Sequence, residues 1–599
     1  MYRKKIHLIR ISALTLSASF LLFGCTRNTP APETEAERIP TADFAAEEQF
    51  QEMIHNLFYD TVTSSGLTMH SMLTDPEAYG ITEYPETLGD YSIQALQDNY
   101  AELRDDYEKL LSIDRSALSP ELQTDYDILL EYMETEQEGE KFLLYDHPFS
   151  AISGVQVELP IVLAEYSFRT PEDAEHYLAL LSSIDEYYDQ LLKYVQAQKE
   201  AGIFLSDQTI SDVLDSCQSY LDAPETGMMA ETFLSRLDSL TELSQEDREA
   251  LISRNEEILK NDFTAAYVTL TEGLEDMKGH AESPSGASSL PNGTEYYEYL
   301  LKSSTYTSYR NPKALKDAIA GRMLDELDHA QELMSQDPEL IYDLYQFDFS
   351  IQDPEDALTD LQTKLLTDFP EVPAYAYEVR TLPEALEPYT SPAFYLSPPI
   401  DTQNENFIYI NQSSVAARND IYTVMAHEGY PGHLYQCNYF NTVNHSLLRS
   451  LMSFSCYVEG WATYVQYLAY QWDDQIRPEL AELLAINESA YLALYALVDY
   501  QVNYEGMTVE ELGEFLNELF RISNPEAADS LYQIVCEDPA NYMKYYVGYL
   551  EISEMREKAE EVLGNDFDAK AFHTFLLDFG PAPFSLIWEH FDEWLLSQK

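Results

Sequence analysis

The stretch "HEGYPGH", residues 427–433, constrains the fold of this chain more than any other, because its two histidines lie six positions apart. On an unbroken helix, residues six apart differ by about 600°, which leaves their side chains about 120° apart. Pro431 lacks a backbone N–H and disfavours helical geometry at Tyr430, while Gly432 tolerates unusual dihedral angles. We therefore predict that the helix bulges or restarts between the two histidines.

Such a break would let both histidines face the same point. Zinc hydrolases with the His-Glu-x-x-His pattern carry two histidines four apart on one helix face, and the glutamate beside the first acts as a base. A bulge of two residues restores that relationship for His427 and His433, with Glu428 in the place of the base. The spacing therefore predicts a modified metal site rather than a damaged one.

A third metal ligand is expected from a following helix. "SFSCYVEGWATYVQYL" places Glu459 in an apolar, helix-like run, where a carboxylate is costly unless it is paired or ligates an ion. One alternative is that Glu459 is a surface or helix-start carboxylate. Another is a metal pair of His433 and Cys437, four residues apart, which leaves the preceding His-Glu pair without a role.

A small β-sheet is predicted at residues 375–411, immediately before the motif. The runs "AYAYEVRTLP", "SPAFYLSPPID" and "NENFIYINQ" are rich in aromatic and branched residues and are separated by Pro and Asn turns. "FIYIN", which includes Tyr409, would bind an extended peptide if it were a free sheet edge; the alternative is that it packs on helices. The next run, "SSVAARNDIYTVMAHE", predicts one serine-capped helix that ends at the motif.

The rest of the chain is patterned as helices in two parts. Residues 43–280 show apolar positions at three- and four-residue spacing, and "HAESPSGASSLPNG" is the clearest internal linker. Residues 294–599 resume the helical pattern, and 599 residues exceed what one hydrophobic core usually organises. We predict a mainly α, two-lobed fold with a small sheet beside the metal-site helix; the resemblance described below makes this expectation a metallopeptidase-like fold.

The first 42 residues predict export and lipid anchoring. Residues 1–25 combine a basic start, an apolar run too short to span a membrane and the ending "LFGC", which resembles a bacterial lipoprotein cleavage box with Cys25 as the lipidated residue. An ordinary signal peptide or a membrane anchor is the alternative. Residues 26–42 read as a polar tether. The body is therefore expected outside the cytoplasmic membrane, attached through the lipid.

Composition excludes one class of partner. The net charge of −72 argues against nucleic acid, because phosphates would be repelled. Acidic residues are spread over amphipathic stretches, which indicates a solvated surface; a cationic partner or a calcium site is the alternative. The four cysteines after Cys25 form no CxxC pair, so we expect buried thiols.

Two stretches, "HEGYPGHLYQ" and "YVEGWATYVQYL", resemble the HExxPGHxxQ and EGWAxY motifs of the bacterial domain-of-unknown-function family 885. Similar blocks cover most of the chain, among them "LPIVLAEYSFRTPEDAEHYLALL" and "YYVGYLEISEMREKAEEVLGNDFDAKAFHTFLLDFGPAP". The resemblance implies a helical, gluzincin-like metallopeptidase in which a cleft separates two halves. Leu434 and Gln466 depart from the family, which commonly has polar and acidic residues there; neither is a proposed ligand.

The resemblance also implies roles. His427, His433 and Glu459 match the zinc ligands, and Glu428 matches the general base that takes a proton from water and delivers it to the leaving amine. Tyr545 matches the donor that stabilises the developing oxyanion.

Other residues of the C-terminal block have weaker support. Arg556 lies 11 positions after Tyr545, on nearly the same helix face, and the resemblance assigns it to a substrate carboxylate; an ordinary helix ion pair is the alternative. Tyr546 and Tyr549 compete with Tyr545 for its role. His573 is either catalytic or a core histidine with satisfied hydrogen bonds.

The resulting expectation is a lipid-anchored, extracytoplasmic zinc metallopeptidase that acts on oligopeptides. Two alternatives stay open. One is a non-catalytic peptide-binding lipoprotein. The other is a zinc hydrolase of non-peptide amides or esters, because the same activated water serves both reactions.

Overall fold

The computed structural model describes residues 44–599, apart from 151–153, 223, 225, 383–386, 388–390 and 417–419. The predicted signal segment, the tether and the lipidation site at Cys25 lie outside the described residues.

The chain before the sheet is helical. Its α-helices are α1 (Phe44–Val62), α2 (Gly66–Met72), α3 (Ile93–Leu111), α4 (Pro120–Glu138), α5 (Val155–Ala164), α6 (Pro171–Ser182), α7 (Ile184–Glu200), α8 (Asp207–Asp222), α9 (Met228–Ser239), α10 (Gln245–Ile258), α11 (Thr264–Glu275), α12 (Gly293–Thr305), α13 (Pro312–Gln336), α14 (Leu340–Gln346) and α15 (Pro354–Lys364). Local signals explain many of the boundaries. Thr170 and Asp173, for example, form a capping box at the start of α6.

Three strands and eleven further α-helices follow in the part of the chain that the structure describes. The strands are β1 (Tyr377–Thr381), β2 (Ala393–Leu396) and β3 (Asn406–Ile410). The helices are α16 (Gln412–Ala416), α17 (Ile421–Glu428), α18 (His433–Val443), α19 (Leu447–Leu451), α20 (Ser455–Ala469), α21 (Pro478–Asn503), α22 (Val509–Phe520), α23 (Pro525–Glu537), α24 (Asn541–Leu563), α25 (Ala569–Phe579) and α26 (Phe584–Ser597). The prediction of a mainly α fold with a small sheet is confirmed.

The sheet has the order β1-β3-β2, so the last strand in sequence is the central one. β3 pairs with β1 in parallel and with β2 in antiparallel orientation. β2 packs against α17, which places the sheet beside the helix that carries the motif.

The helix leading to the motif is shorter than the sequence predicts. Asp420 has φ −114° and ψ 17°, outside the helical region, and α17 begins only at Ile421. The single serine-capped helix is therefore wrong: a short α16 precedes α17. Aspartate favours caps and turns over helix interiors, because its side chain competes for nearby backbone groups.

The two largest hydrophobic clusters of the described residues do not divide at residue 280. One joins α1 and α4 to most helices after α12, while the other gathers α5 to α11 and part of the sheet. The predicted boundary between the lobes therefore does not separate the cores.

α21 is long and apolar enough to cross a membrane by composition, but 67% of its most apolar window is buried inside the fold. That burial identifies α21 as a core helix.

Candidate metal centre

The motif breaks the helix where the sequence predicts a break. α17 ends at Glu428 and α18 begins at His433. Between them, the amides of Gly429 and Tyr430 both donate to the carbonyl of Met425, at 2.9 and 3.2 Å. The prediction of an interruption between the two histidines is confirmed.

Glycine is required at position 432 by this turn. The amide of Gly432 donates to the carbonyl of Ala426 at 2.9 Å, so the chain folds back tightly against the end of α17. A Cβ at Gly432 would overlap the carbonyl oxygens of both Ala426 and His427. The Pro-Gly pair therefore shapes the turn that orients the second histidine.

The turn brings three potential ligands together. Nε2 of His427 lies 3.6 Å from Oε2 of Glu459, and Nε2 of His433 lies 3.4 Å from the same oxygen. All three ligand atoms lie within 4.8 Å of one another. Tetrahedral zinc with bonds of about 2.1 Å spaces its ligand atoms by roughly 3.4 Å. The spacing and the donor types therefore fit a single zinc-sized cation.

The charge distribution of the three side chains also suits a cation. Burial opposes ionisation of Glu459, but the imidazoles of His433 and His427 outweigh it and hold the pKa of the carboxyl well below its usual range. The two imidazole rings meet nearly at right angles, at 87°. An ionised carboxylate and two imidazole nitrogens are a common zinc ligand set.

A hydrogen bond to Gln466 orients the ring of His427. Nδ1 of His427 lies 2.9 Å from Oε1 of Gln466, so Nδ1 donates and the lone pair of Nε2 faces Glu459. Gln466 is one of the two positions at which the sequence departs from the family motifs that it resembles. The acceptor here is therefore a neutral amide and not a carboxylate.

Glu428 lies beside the same point without joining the ligand group. Its Oε2 accepts a hydrogen bond of 3.0 Å from the backbone amide of Tyr395 in β2. Burial raises the pKa of Glu428 to about 7; the nearby Glu459 adds to this effect and His427 opposes it. A carboxyl with a pKa near neutrality can both accept and release a proton.

A close helix crossing positions Tyr545. α20, which carries Glu459, and α24 meet at Gly460 and Gly548, where an added Cβ on Gly548 would overlap the carbonyl oxygen of Cys456. This approach brings the ring of Tyr545 to 6.5 Å from the ring of His427, between centroids.

Tyr545 keeps its proton and is the tyrosine nearest the histidines among its neighbours on α24. Burial and the charges of Glu459 and Glu428 raise the pKa of Tyr545 well above its usual range. Tyr549 instead donates to Glu326 in α13 at 3.3 Å, and Tyr546 is buried in contact with the ring of Tyr549.

Arg556 and His573 both form hydrogen bonds with the hydroxyl of the buried Tyr464 rather than contacts with the ligand group. Nδ1 of His573 donates to the carbonyl of Asp368 at 2.7 Å, and Nε2 accepts from the hydroxyl of Tyr464 at 2.9 Å. Arg556 donates to the same hydroxyl at 2.7 Å and forms an ion pair with Glu560. These contacts fit the core-histidine and ion-pair alternatives, and the catalytic and substrate roles stay predictions.

The predicted peptide-binding edge at Tyr409 is wrong. β3 is paired on both sides over Asn406–Ile410, so it offers no free edge. The hydroxyl of Tyr409 instead contacts Glu165 and accepts from Arg380 at 3.0 Å. The sheet edge beside the centre belongs to β2, whose amide at Tyr395 reaches Glu428.

The four cysteines within the described residues are free and buried, as predicted. Cys437 lies outside the ligand group: Asn441 contacts its sulfur at 3.7 Å, and burial raises the pKa of the thiol to about 11. The structure therefore does not favour a metal pair of His433 and Cys437.

The sequence profile of one protein family matches residues 76–590, and its description is "Bacterial protein of unknown function (DUF885)". The chain belongs to this family. Among curated proteins, no sequence matches.

Two solved structures share the fold of this DUF885 member. A candidate lipoprotein from Colwellia psychrerythraea aligns with a TM-score of 0.79 and 18% identity, over 93% of this chain and 100% of the other. A candidate lipoprotein of unknown function from Shewanella oneidensis aligns with a TM-score of 0.60 and 17% identity, over 91% and 99%. At these identities the likeness concerns the fold alone.

Proposed function

We propose that this protein is an extracytoplasmic zinc metallopeptidase that hydrolyses oligopeptides. The observation that carries the proposal is the group of His427, His433 and Glu459, whose ligand atoms have the spacing of a zinc site. When bound, zinc supplies Lewis-acid chemistry that lowers the pKa of water towards neutrality and polarises a carbonyl.

The chain's own residues supply the remaining steps. Glu428, with its raised pKa, takes a proton from the attacking water and passes it to the leaving amine. The protonated hydroxyl of Tyr545, whose ring lies 6.5 Å from that of His427, donates to the oxygen on which negative charge develops. Gln466 holds His427 in the tautomer that ligates through Nε2.

A peptide is the favoured substrate because a sheet edge borders the centre. One side of β2 pairs with β3, and the backbone amide of Tyr395 on the other side points to Glu428. An extended peptide that adds to this edge places its backbone next to the base. An ester or a small amide does not need such an edge.

The proposed location is the outer face of the cytoplasmic membrane, with a lipid on Cys25. The ending "LFGC" supports it, as do the two structural relatives described as candidate lipoproteins.

Metal analysis of the purified protein tests the ligand group. We expect about one zinc per chain, lost in His427→Ala and kept in the matched control His55→Ala, which changes an exposed histidine of α1. Zinc that remains in His427→Ala at the wild-type level would disprove the site.

Turnover tests the chemistry separately. On a panel of quenched peptides, esters and N-acyl amides, we expect peptide cleavage to fall by about 10²–10⁴-fold in Glu428→Gln while zinc content is unchanged. Unchanged peptide turnover in this variant would reject Glu428 as the base. Cleavage of the esters or amides alone would replace the peptidase proposal by the non-peptide hydrolase, and no cleavage at all would favour a peptide-binding protein.

A further inference from the structure

Helix α20 contacts both ring nitrogens of His427. Glu459 and Gln466 lie seven residues apart in α20, about two turns, which leaves their side chains only about 20° apart on the helix surface. Oε2 of Glu459 lies 3.6 Å from Nε2 of His427, and Oε1 of Gln466 accepts from Nδ1 at 2.9 Å. One helix face therefore supplies both a proposed ligand of the cation and the group that fixes the ring of another ligand.

The acceptor for Nδ1 is a neutral amide. A hydrogen bond to an ionised acceptor is roughly twice as strong as one to a neutral acceptor. The acceptor behind a ligating imidazole also determines how strongly the other ring nitrogen binds a metal. An amide therefore orients the ring of His427 without placing a negative charge behind it. The same three ligands would hold a cation more tightly with a carboxylate at position 466.

His433 has no comparable support within the described chain. Its Nε2 lies 3.4 Å from Oε2 of Glu459, but none of the described residues accepts a hydrogen bond from its Nδ1. In the described part of the protein, the outer support of the two imidazoles is thus a single neutral hydrogen bond. Glu459 is the one ionised member of the ligand group, so the ligands offset only part of the charge of a divalent cation.

We propose that Gln466 is a positioning residue that keeps the metal exchangeable, so that the loaded fraction of the protein follows the free zinc around it. The inference rests on the proposed function and adds to it how the metal content is regulated. The net charge of −72 favours the approach of cations to the chain. Release of the ion is therefore the step that the ligand group, and with it Gln466, governs.

A purely structural role for Gln466 is the competing possibility. Gln466 is half-buried, and its hydrogen bond would then only hold α17 and α20 in place relative to each other. In that case, a carboxylate at position 466 leaves the zinc affinity unchanged or weakens it. A gain in zinc affinity is expected only if the charge of the acceptor acts through His427.

The test measures the zinc dissociation constant by competition with a chromophoric chelator at pH 8, where protons compete little for the imidazoles. We expect Gln466→Glu to lower this constant by about tenfold or more, and Gln466→Leu to raise it by a similar factor. Release of zinc to excess EDTA should be slower in Gln466→Glu and faster in Gln466→Leu. The matched control Gln471→Glu adds the same charge at an exposed position just beyond α20 and should bind zinc as wild type does.

Each outcome decides for or against the tuning of the metal by Gln466. Zinc binding by natively folded Gln466→Glu that equals or is weaker than that of wild type overturns it, as does an equal gain in Gln471→Glu. Should Gln466→Glu lack the native circular dichroism, unchanged zinc release from Gln466→Leu overturns it instead.

The outcomes also separate this inference from the proposed function. Zinc binding that depends on position 466, together with no cleavage of any substrate, refutes the proposed chemistry and keeps the inference. A wild type that binds no zinc refutes the ligand group and both proposals with it.

Discussion

His573 is held neutral by its surroundings. The ring of Phe369 stacks on it at 4.2 Å between centroids, and Trp461 meets it edge-on. Both ring nitrogens are used, Nδ1 as a donor to Asp368 and Nε2 as an acceptor from Tyr464. Protonation would place a buried charge next to the guanidinium of Arg556, and Nε2 would lose its role as acceptor. Burial accordingly lowers the pKa of His573 to about 3.

This environment predicts a loss of stability at acid pH. A histidine in the unfolded chain has a pKa of about 6.5, so the unfolded state takes up the proton first as the pH falls. The contribution of neutral His573 is therefore complete above about pH 6.5 and is lost progressively towards about pH 3. Urea denaturation should show that wild type loses about 2 kcal/mol more than His573→Gln between about pH 7.5 and pH 5.

The matched control is His445→Gln, which changes an exposed histidine and should follow the wild-type pH dependence. Equal pH dependence of wild type and His573→Gln would show that the buried histidine is protonated at little cost.

Residues of the centre differ in how far the sequence reveals them. His427, Glu428 and His433 share one short motif, and the proline and glycine between them already indicate the turn. Glu459 stands out because its helix is otherwise apolar. The hydrogen bond from the backbone amide of Tyr395 to Glu428 forms only through the tertiary fold, and nothing in the local sequence of β2 marks it. Such a contact becomes visible only when β2 and α17 are placed in space.

The crossing of α20 and α24 is the element contact on which the geometry of the centre depends. Glu459 and Gly460 are neighbours on one helix, and Tyr545 and Gly548 are one turn apart on the other. Because neither glycine has a side chain, the backbones approach closely, and Tyr545 is carried towards His427. A side chain at this crossing would push the two helices apart, and this would move Glu459 away from Tyr545.

Gly548→Ala should therefore damage both stability and activity. Its Cβ would overlap the carbonyl of Cys456 and lie 2.7 Å from Cα of Gly460. We expect a loss of about 2–3 kcal/mol in urea denaturation and a fall in turnover that exceeds the fall in zinc content, since His427 and His433 lie on other helices.

Gly321→Ala is the matched control, because no atom lies within 4 Å of a Cβ added there in α13. Helix propensity predicts that this control is stabilised by about 0.5–1 kcal/mol. If Gly548→Ala matched wild type in both stability and turnover, the helices would have room to separate without consequence.

The sheet shows what sequence patterns predict for an element and what they leave open. All three strands lie inside the predicted runs, because aromatic and branched residues between turns are a local signal. Strand order is set by pairing between distant segments. β3 lies between β1 and β2, and β2 becomes the edge beside Glu428, which local patterns do not reveal.

At the scale of the whole molecule, the linker predicted at residues 280–293 does not separate two independent cores. Ala287 is buried, and its amide donates to Asn503 in α21 at 2.8 Å. Helices α1 and α4 pack with the C-terminal half. Composition and turn residues identify this loop correctly, but loops also lie within domains, and only the packing of apolar faces shows which helices share a core.

The charge of the whole chain predicts how its stability responds to salt. With 106 acidic against 34 basic residues, repulsion within the folded state outweighs the surface ion pairs, each of which contributes little. Raising sodium chloride from about 0.01 M to about 0.15 M shortens the Debye length from about 30 Å to about 8 Å and screens that repulsion. The urea midpoint at neutral pH should therefore rise with salt. The rise should shrink near the isoelectric point of about 4.2, where the net charge vanishes.

Calcium chloride at equal ionic strength is the control for specific cation binding. An equal rise in the urea midpoint identifies general screening, and a larger rise indicates a dedicated calcium site. A midpoint that falls with added sodium chloride would mean that local ion pairs dominate over the net repulsion.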